Sequence, residues 1–109
     1  MTKKYDSISQ EEAAEIMASD ADYTIVDVRT PKEYKKSHIP DAVLVPIEEI
    51  REGKLDKLPD KDRELLVYCR TGRRAEDASQ LLAEAGYTNV KEFGGILTWK
   101  GEVVRPERE

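Results

Sequence analysis

The chain has 109 residues, with one cysteine and 39% hydrophobic residues, and this predicts one small globular domain over residues 1–109. Its 18 basic and 23 acidic side chains give a formal charge of −5, so the overall charge favours neither nucleic acid nor an anionic membrane as a partner. A lone cysteine cannot close an internal disulfide, and the N-terminal stretch "MTKKYDSIS" lacks the apolar run of a signal peptide or a membrane span. We therefore expect a protein of the reducing cytoplasm.

The first half of the chain predicts helices that alternate with strands. The stretch "SQEE" has the form of a capping box and predicts a helix that begins near Gln10. After it, "YTIVDV" is a short apolar run typical of a strand buried in a parallel sheet. In "TPKE", Thr30 is the expected N-cap, Pro31 the first helical residue and Glu33 the return cap, which predicts a short helix through Tyr34.

The second half continues the alternation. We expect "AVLV" (42–45) to be a strand, "PIEEIREG" a short helix closed by Gly53, and "LLVY" (65–68) the clearest strand of the chain. From Arg74 onward apolar residues recur at helical spacing and stop at Gly86, a predicted C-cap, and "NVKEF" offers a further strand. Strands and helices that alternate through short connections predict an α/β domain with a largely parallel sheet. The stretch "RPERE" (about 105–109) is expected to be a frayed tail.

The only cysteine, Cys69, falls where a buried strand ends and a helix is about to begin. In parallel α/β sheets, ligands gather at this edge. The loop "CRTGRR" is short, contains Gly72 and leads into a helix N-terminus, so successive backbone N–H groups can form a nest for an anion. A thiolate is favoured in such surroundings, and Cys69 would act as a nucleophile without needing a base.

The cysteine and the arginines of this loop also have simpler interpretations. Cys69 could be a small buried hydrophobic residue, and the arginines Arg70, Arg73 and Arg74 could be an ordinary solvated helix start. Basic residues at a helix N-terminus oppose the helix dipole and cost about 0.3–1 kcal/mol each when exposed, so their presence favours an anionic partner. We interpret the lone His38 as a structural residue that hydrogen-bonds a turn, rather than as a catalytic partner of the cysteine.

Three stretches of the chain resemble the single-domain rhodanese, or thiosulfate sulfurtransferase, family. "VDVRTPKEYKKSHIPDAVLVP" resembles the first family signature, "VYCRTGRRA" the active-site loop, and "GGILTW" the closing element with its glycine pair and tryptophan. The resemblance covers nearly the whole chain. It implies a rhodanese-like α/β fold, with a mostly parallel sheet of about five strands and helices on both of its faces.

The resemblance also implies roles for individual residues. Cys69 would hold the transferred sulfur as a persulfide, and the backbone amides of the following loop would cradle the outer sulfur. Arg74 matches the arginine that ends the family loop, and Arg70 matches a variable position that is often basic in thiosulfate users. The active-site loop so implied consists of Arg70, Thr71, Gly72, Arg73 and Arg74. The residues that match the pattern "D-V-R-x-x-x-E", chiefly structural and near the site, are Asp27, Arg29 and Glu33.

The sequence departs from the family pattern at a few positions. The family commonly has glycine where this chain has Ser37 and Asp41, and often serine where Ala75 stands. Aspartate tolerates the left-handed backbone better than most residues, so the turn at Asp41 is expected to survive. We interpret the glycine pair at 94–95 as a turn and Trp99 as a core anchor.

The implied mechanism is a two-step sulfur transfer. The thiolate of Cys69 attacks the outer sulfur of thiosulfate, sulfite leaves, and a second nucleophile takes the sulfur, which predicts ping-pong kinetics. Cyanide would serve as the acceptor in a test tube, and a small thiol or a protein thiol in a cell. No metal and no organic cofactor is expected, since the sequence has no cluster of metal ligands.

The sequence is also compatible with other functions. One alternative is a binding or signalling module that keeps the rhodanese fold, or a persulfide carrier for a protein partner; such modules typically lose the cysteine, which this chain retains. A cysteine phosphatase or arsenate reductase is a further alternative. Tyrosine phosphatases, however, need five residues between cysteine and arginine, and Ala75 occupies the place of that arginine.

Overall fold

The computed structural model describes residues 3–106, which form five strands, four α-helices and one 3₁₀ helix. In chain order the elements are β1 (Asp6–Ser7), α1 (Gln10–Met17), β2 (Tyr23–Asp27), α2 (Pro31–Lys36), β3 (Val43–Leu44), α3 (Ile47–Arg51), β4 (Glu64–Cys69), α4 (Arg73–Glu84), β5 (Val90–Gly95) and the 3₁₀ helix (Ile96–Thr98). Over the same described residues, no helix combines the length and the apolar character that crossing a membrane requires.

The five strands form one sheet in the order β1-β5-β4-β2-β3, and every pairing is parallel. This confirms the predicted α/β class with its parallel sheet. The central strand β4 is buried from Leu65 to Cys69, as its unbroken apolar sequence predicts. Its neighbour β2 ends at Asp27, which pairs with Tyr68, so both strands end at the same edge of the sheet.

Helices cover both faces of the sheet, as expected from the resemblance. On one face, Ile50 of α3 and Leu82 of α4 pack with Val67 of β4 in a buried cluster. On the other face, α1 and α2 pack against a second cluster that contains Leu66. Successive side chains of a strand point to opposite faces, so Cys69, two residues after Val67, lies in the cluster with α4.

The capping boxes predicted for α1 and α2 are both present. In α2, the backbone N–H of Glu33 donates to Thr30 Oγ1 at 3.2 Å, and Glu33 Oε1 accepts from the Thr30 N–H at 3.0 Å. The same reciprocal pair joins Ser9 to Glu12 in α1. These bonds satisfy backbone donors that a helix start leaves free, and they need only residues three positions apart.

The structure differs from the sequence prediction at the two edges of the sheet. Strand β1 was not predicted: its two residues, Asp and Ser, are polar, and they pair with β5 next to a backbone bond of 2.9 Å from Ile8 N–H to the Glu92 carbonyl. The strand predicted over 42–45 shortens to the two residues of β3. Short edge strands carry little sequence signal, since one side of each is unpaired. Of the tail predicted over 105–109, residues 107–109 lie outside the described residues.

Candidate active site

Cys69 is the last residue of β4 and is only 1% exposed. Its Sγ accepts a hydrogen bond of 2.9 Å from the backbone N–H of Gly72. Helix α4 begins at the next residue, Arg73, so the sulfur lies beside a loop amide and close to the start of a helix of 12 residues. Amide groups and the positive end of a helix both favour negative charge. This arrangement suits a sulfur atom that carries negative charge.

Glycine at position 72 is required by the backbone of the loop. Gly72 has φ of +120°, a conformation that L side chains rarely adopt, and it is the N-cap of α4. A residue with a Cβ would be strained here whatever the surrounding space. Thr71, just before it, is exposed.

A second glycine allows the loop to lie against the end of β5. Gly95 pairs with Cys69 in the sheet, and a Cβ built on Gly95 would lie 2.1 Å from the carbonyl oxygen of Arg70 and 2.6 Å from the Cα of Thr71. The N–H of Leu97 donates to the same Arg70 carbonyl at 3.2 Å. Our interpretation of the 94–95 pair as a simple turn therefore missed its part in the site. The part that Gly95 has in the site depends on a contact with a residue about 25 positions earlier, where the absence of a Cβ lets two backbone segments lie close together.

Behind the loop, a buried ion pair holds the end of β2. Arg29 donates to both carboxylate oxygens of Asp27, with Nε to Oδ1 at 2.9 Å and Nη2 to Oδ2 at 2.8 Å. The Tyr68 hydroxyl donates to Asp27 Oδ2 at 2.6 Å and accepts from the Ile39 N–H at 3.0 Å. Burial, with the Asp27 charge in addition, raises the pKa of Tyr68 far above its ordinary value. Arg29 also donates to the Ser37 carbonyl, so the ion pair connects the end of β2 to the segment that follows α2.

Glu33 links α2 to the active-site loop. Its carboxylate accepts two hydrogen bonds from Arg74, of 2.8 and 3.0 Å, in a forked ion pair. The Arg74 bond, followed by the Thr30 backbone bond, lowers the pKa of Glu33 from 4.5 to about 2 although partial burial opposes this. In return the Glu33 hydrogen bond raises the pKa of Arg74, and the nearby Cys69 charge acts in the same direction. The ion pair ties the first turn of α4 to the first turn of α2.

The other two arginines of the loop are free. Arg70 and Arg73 are exposed, and neither guanidinium makes a hydrogen bond or an ion pair with any residue in the range 3–106. Arg70 lines a cleft of about 300 Å³ that opens beside the loop between α2 and the 3₁₀ helix, where its neighbours include Lys36 and Leu97. The structure thus brings Arg70 to an open cleft and Arg74 into the scaffold. Arg73 is not among the residues that line this cleft.

His38 is held by Tyr34, one helical turn before it, and by the distant residue Val104. Its ring stacks on Tyr34 with the centroids 3.7 Å apart, and its Nδ1 lies 2.9 Å from the Tyr34 carbonyl oxygen. Its backbone forms a pair of bonds with Val104. These are the contacts of a structural histidine, in agreement with the interpretation from sequence.

The positions that depart from the family pattern fit the backbone. Asp41 has φ of +70°, the left-handed conformation that aspartate tolerates best after glycine and asparagine. Ser37 has φ of −167°, which is extended backbone that any residue adopts, so glycine is not required at this position. Ala75 lies in the first turn of α4 and is fully buried.

Comparison with known proteins identifies the family. The model of the Rhodanese-like domain matches residues 9–102 of the chain. This chain belongs to the rhodanese family. Thiosulfate sulfurtransferase PspE of Escherichia coli K12 is 38% identical over 71 residues, which cover 65% of this chain and 68% of the relative. A protein named sulfurtransferase from Allochromatium vinosum is 36% identical over 104 residues, which cover 92% of this chain and 95% of the relative.

Solved structures place this rhodanese in the same family. A rhodanese-related protein from Thermoplasma volcanium superposes with a TM-score of 0.78 at 32% identity, over 93% of this chain and 99% of that one. A rhodanese from E. coli, solved with anions, superposes with a TM-score of 0.69 at 34% identity, over 76% and 98% of the two chains. The family and the fold expected from the sequence are thereby confirmed. Sulfur transfer is the class of activity that these relatives support.

Proposed function

We propose that this rhodanese is a thiosulfate sulfurtransferase in which Cys69 carries the transferred sulfur as a persulfide. The observation that supports this most directly is the 2.9 Å hydrogen bond from the Gly72 N–H to the buried Cys69 Sγ, at the start of α4. A sulfur atom added to Sγ extends into a loop of backbone amides that begins a helix. A related sulfurtransferase named for thiosulfate, GlpE of Coxiella burnetii, is 34% identical over 88% of this chain.

The first step transfers one sulfur atom from thiosulfate. The Cys69 thiolate attacks the outer sulfur of thiosulfate, a bond forms between the two sulfur atoms, and the S–S bond of thiosulfate breaks with its electron pair on the departing sulfite. In the second step an acceptor takes the outer sulfur, and the electron pair of the persulfide bond returns to Sγ. No oxidant or reductant is consumed, and the enzyme alternates between two forms in a ping-pong cycle.

The arginines of the loop have separate tasks in this cycle. The Arg70 guanidinium, exposed and without a partner in residues 3–106, attracts the anionic donor to the cleft. Arg74, held by both carboxylate oxygens of Glu33, maintains the shape of the loop while its charge favours the thiolate. Fixed amides and charges stabilise the negative sulfur without having to reorganise during the reaction. Thr71 and Arg73 contribute chiefly backbone to the loop.

The physiological acceptor is a thiol, on a small molecule or on a protein, and cyanide replaces it in a test tube. A reducing compartment such as the cytoplasm suits this activity, because the single Cys69 must remain a thiolate between cycles. Neither half-reaction calls for a metal ion or an organic cofactor.

Intact-protein mass spectrometry tests the proposal. Incubation with thiosulfate should add the mass of one sulfur atom, and later addition of cyanide should remove it with release of thiocyanate. The Cys69→Ser variant, which keeps the size of the side chain, should show no addition. A wild-type mass that does not change would instead support a binding module that keeps the fold without the chemistry. Hydrolysis of an aryl phosphate at a rate above that of Cys69→Ser would favour the phosphatase alternative.

A further inference from the structure

The cleft beside the loop is larger than sulfur transfer from thiosulfate requires. Its volume of about 300 Å³ is at the lower end of the range of small-molecule sites in proteins. Its walls come from three parts of the chain: the end of α2, the arginines that follow β2 and β4 (Arg29 and Arg70), and the 3₁₀ helix. The cleft can therefore hold the body of a second, larger substrate beside the residue that follows Cys69.

The charges that line this cleft are predominantly positive. Glu33 is neutralised by the forked ion pair with Arg74, and the charge of Arg29 is neutralised by buried Asp27. The Lys36 ammonium group makes no hydrogen bond or ion pair with any residue that the structure describes, and the same is true of the Arg70 guanidinium. In a chain whose formal charge is −5, two unpaired cations at one cleft favour an anionic ligand.

The third wall of the cleft is apolar and exposed. Leu97 is 60% exposed, and among the described residues only one other large hydrophobic residue, Val104, is classed as exposed. The backbone of Leu97 is anchored, because its N–H donates to the Arg70 carbonyl at 3.2 Å and so ties the 3₁₀ helix to the loop. An exposed apolar side chain on an anchored backbone, next to free cations, favours a ligand that combines an apolar chain with an anionic group.

We propose that this cleft binds the acceptor of the second half-reaction, and that it selects a small thiol joined through a short apolar chain to a carboxylate. The inference rests on the proposed function. Leu97 contacts the chain and Lys36 binds the carboxylate, which makes Lys36 a specificity-determining residue. The acceptor thiolate bonds to the outer sulfur of the persulfide, the bond to Cys69 Sγ breaks with its electron pair on Sγ, and the product leaves as an alkyl persulfide.

The test measures the second half-reaction alone. Persulfide-loaded protein is freed of thiosulfate and mixed with one of four thiols: mercaptohexanoate, mercaptohexanol, mercaptopropionate or mercaptopropanol. To correct for the intrinsic reactivity of each thiol, its rate with the protein is divided by its rate with a small disulfide in the absence of protein. We expect mercaptohexanoate to react about ten-fold faster than mercaptohexanol at low salt, because a charge pair at a partly solvated site is worth about that factor. It should also exceed mercaptopropionate by about three-fold or more, because additional methylene groups contact Leu97.

Two neighbouring lysines provide a matched pair of variants. Lys36→Gln should lose most of the preference for mercaptohexanoate over mercaptohexanol. Lys35→Gln should keep it, since exposed Lys35 lies in the last turn of the same helix but does not line the cleft. Leu97→Ser should lose the preference for the longer chain and keep the preference for the carboxylate. Equal effects of the two lysine variants, or a wild-type protein that does not distinguish the carboxylate from the alcohol, would overturn the proposal. So would loaded protein that reacts only with protein thiols.

Binding without turnover separates this proposal from the proposed function. Hexanoate, which cannot accept sulfur, should shift the NMR signals of the Leu97 methyl groups and of the residues around Lys36, and hexanol should do so far more weakly. If thiosulfate fails to add sulfur to Cys69, the proposed function is wrong, yet the hexanoate titration still decides whether the cleft takes an amphipathic carboxylate. If sulfur is added but hexanoate leaves these signals unchanged, only the inference about the cleft fails.

Discussion

Glu33 and Arg74, which are 41 residues apart in the chain, join the first turns of two helices. The Glu33 carboxylate caps α2 and also accepts hydrogen bonds of 2.8 and 3.0 Å from the Arg74 guanidinium at the start of α4. One carboxylate thus fixes a local helix start and the active-site loop at the same time. Loss of its charge should affect the stability of the fold and the shape of the loop together.

The ion pair predicts a decline in stability at acidic pH. The pKa of Glu33 falls from 4.5 to about 2 on folding, so the stabilisation is fully present above pH 4.5 and is lost as the pH falls toward 2, where the folded protein also binds the proton. After screening by solvent we expect about 1–2 kcal/mol. Chemical unfolding of wild type and Glu33→Gln at several pH values measures it. The two curves should converge near pH 2, and a constant difference between them would contradict the assignment.

Arg70 and Arg74 should differ in steady-state kinetics. Arg70→Ala removes attraction for the donor in the ground state, so KM for thiosulfate should rise about ten-fold at low salt with little change in kcat, and the effect should shrink as salt screens the charge. Arg74→Ala should lower kcat and the melting temperature together, since Glu33 loses both hydrogen bonds from the guanidinium. Arg73→Ala, which changes an exposed arginine outside the cleft, is the control. An unchanged KM for Arg70→Ala at low salt would contradict the role in donor capture.

Gly95→Ala should damage the site through a steric clash. The new Cβ would lie 2.1 Å from the Arg70 carbonyl oxygen, so the loop after Cys69 has to move. We expect a destabilisation of about 2–4 kcal/mol, since overpacking typically costs about 1–3 kcal/mol and backbone atoms cannot rotate aside. The persulfide yield from thiosulfate should also fall. Gly53→Ala is the control: its Cβ meets nothing within 4 Å, so only the cost of its positive φ, about 1 kcal/mol, should appear and the yield should be unchanged.

Asp27→Asn should be among the most destabilising of the polar substitutions. It leaves the guanidinium of Arg29, only 4% exposed, without its countercharge, which typically costs about 3–5 kcal/mol. The matched control is Glu64→Gln, which breaks the more exposed pair with Lys91 and should cost about 1 kcal/mol or less. Denaturant unfolding at neutral pH compares the two. Similar losses of unfolding free energy for both variants would mean that burial of the Asp27–Arg29 pair does not determine its contribution to stability.

The elements with a local cause were predictable from the sequence. The capping boxes at Ser9 and Thr30 involve partners three residues away, and the apolar run of β4 marks a buried central strand whatever its neighbours are. The position of Cys69 between that strand and a helix follows from the same signals, and so does the loop with Gly72. These features depend on interactions within a few residues, so the order of residues alone carries them.

The tertiary structure decided the features that depend on contacts between distant segments. The polar pair Asp6–Ser7 becomes a strand only because β5 offers a free edge, and Gly95 matters only because the Arg70 carbonyl lies against it. The sequence has three similar arginines within five residues of Cys69. In the structure Glu33 binds Arg74, whereas Arg70 lines a cleft together with Lys36. A side chain acquires its partner when the sheet brings separate strand ends to one edge, and residue type and local spacing do not encode that distance.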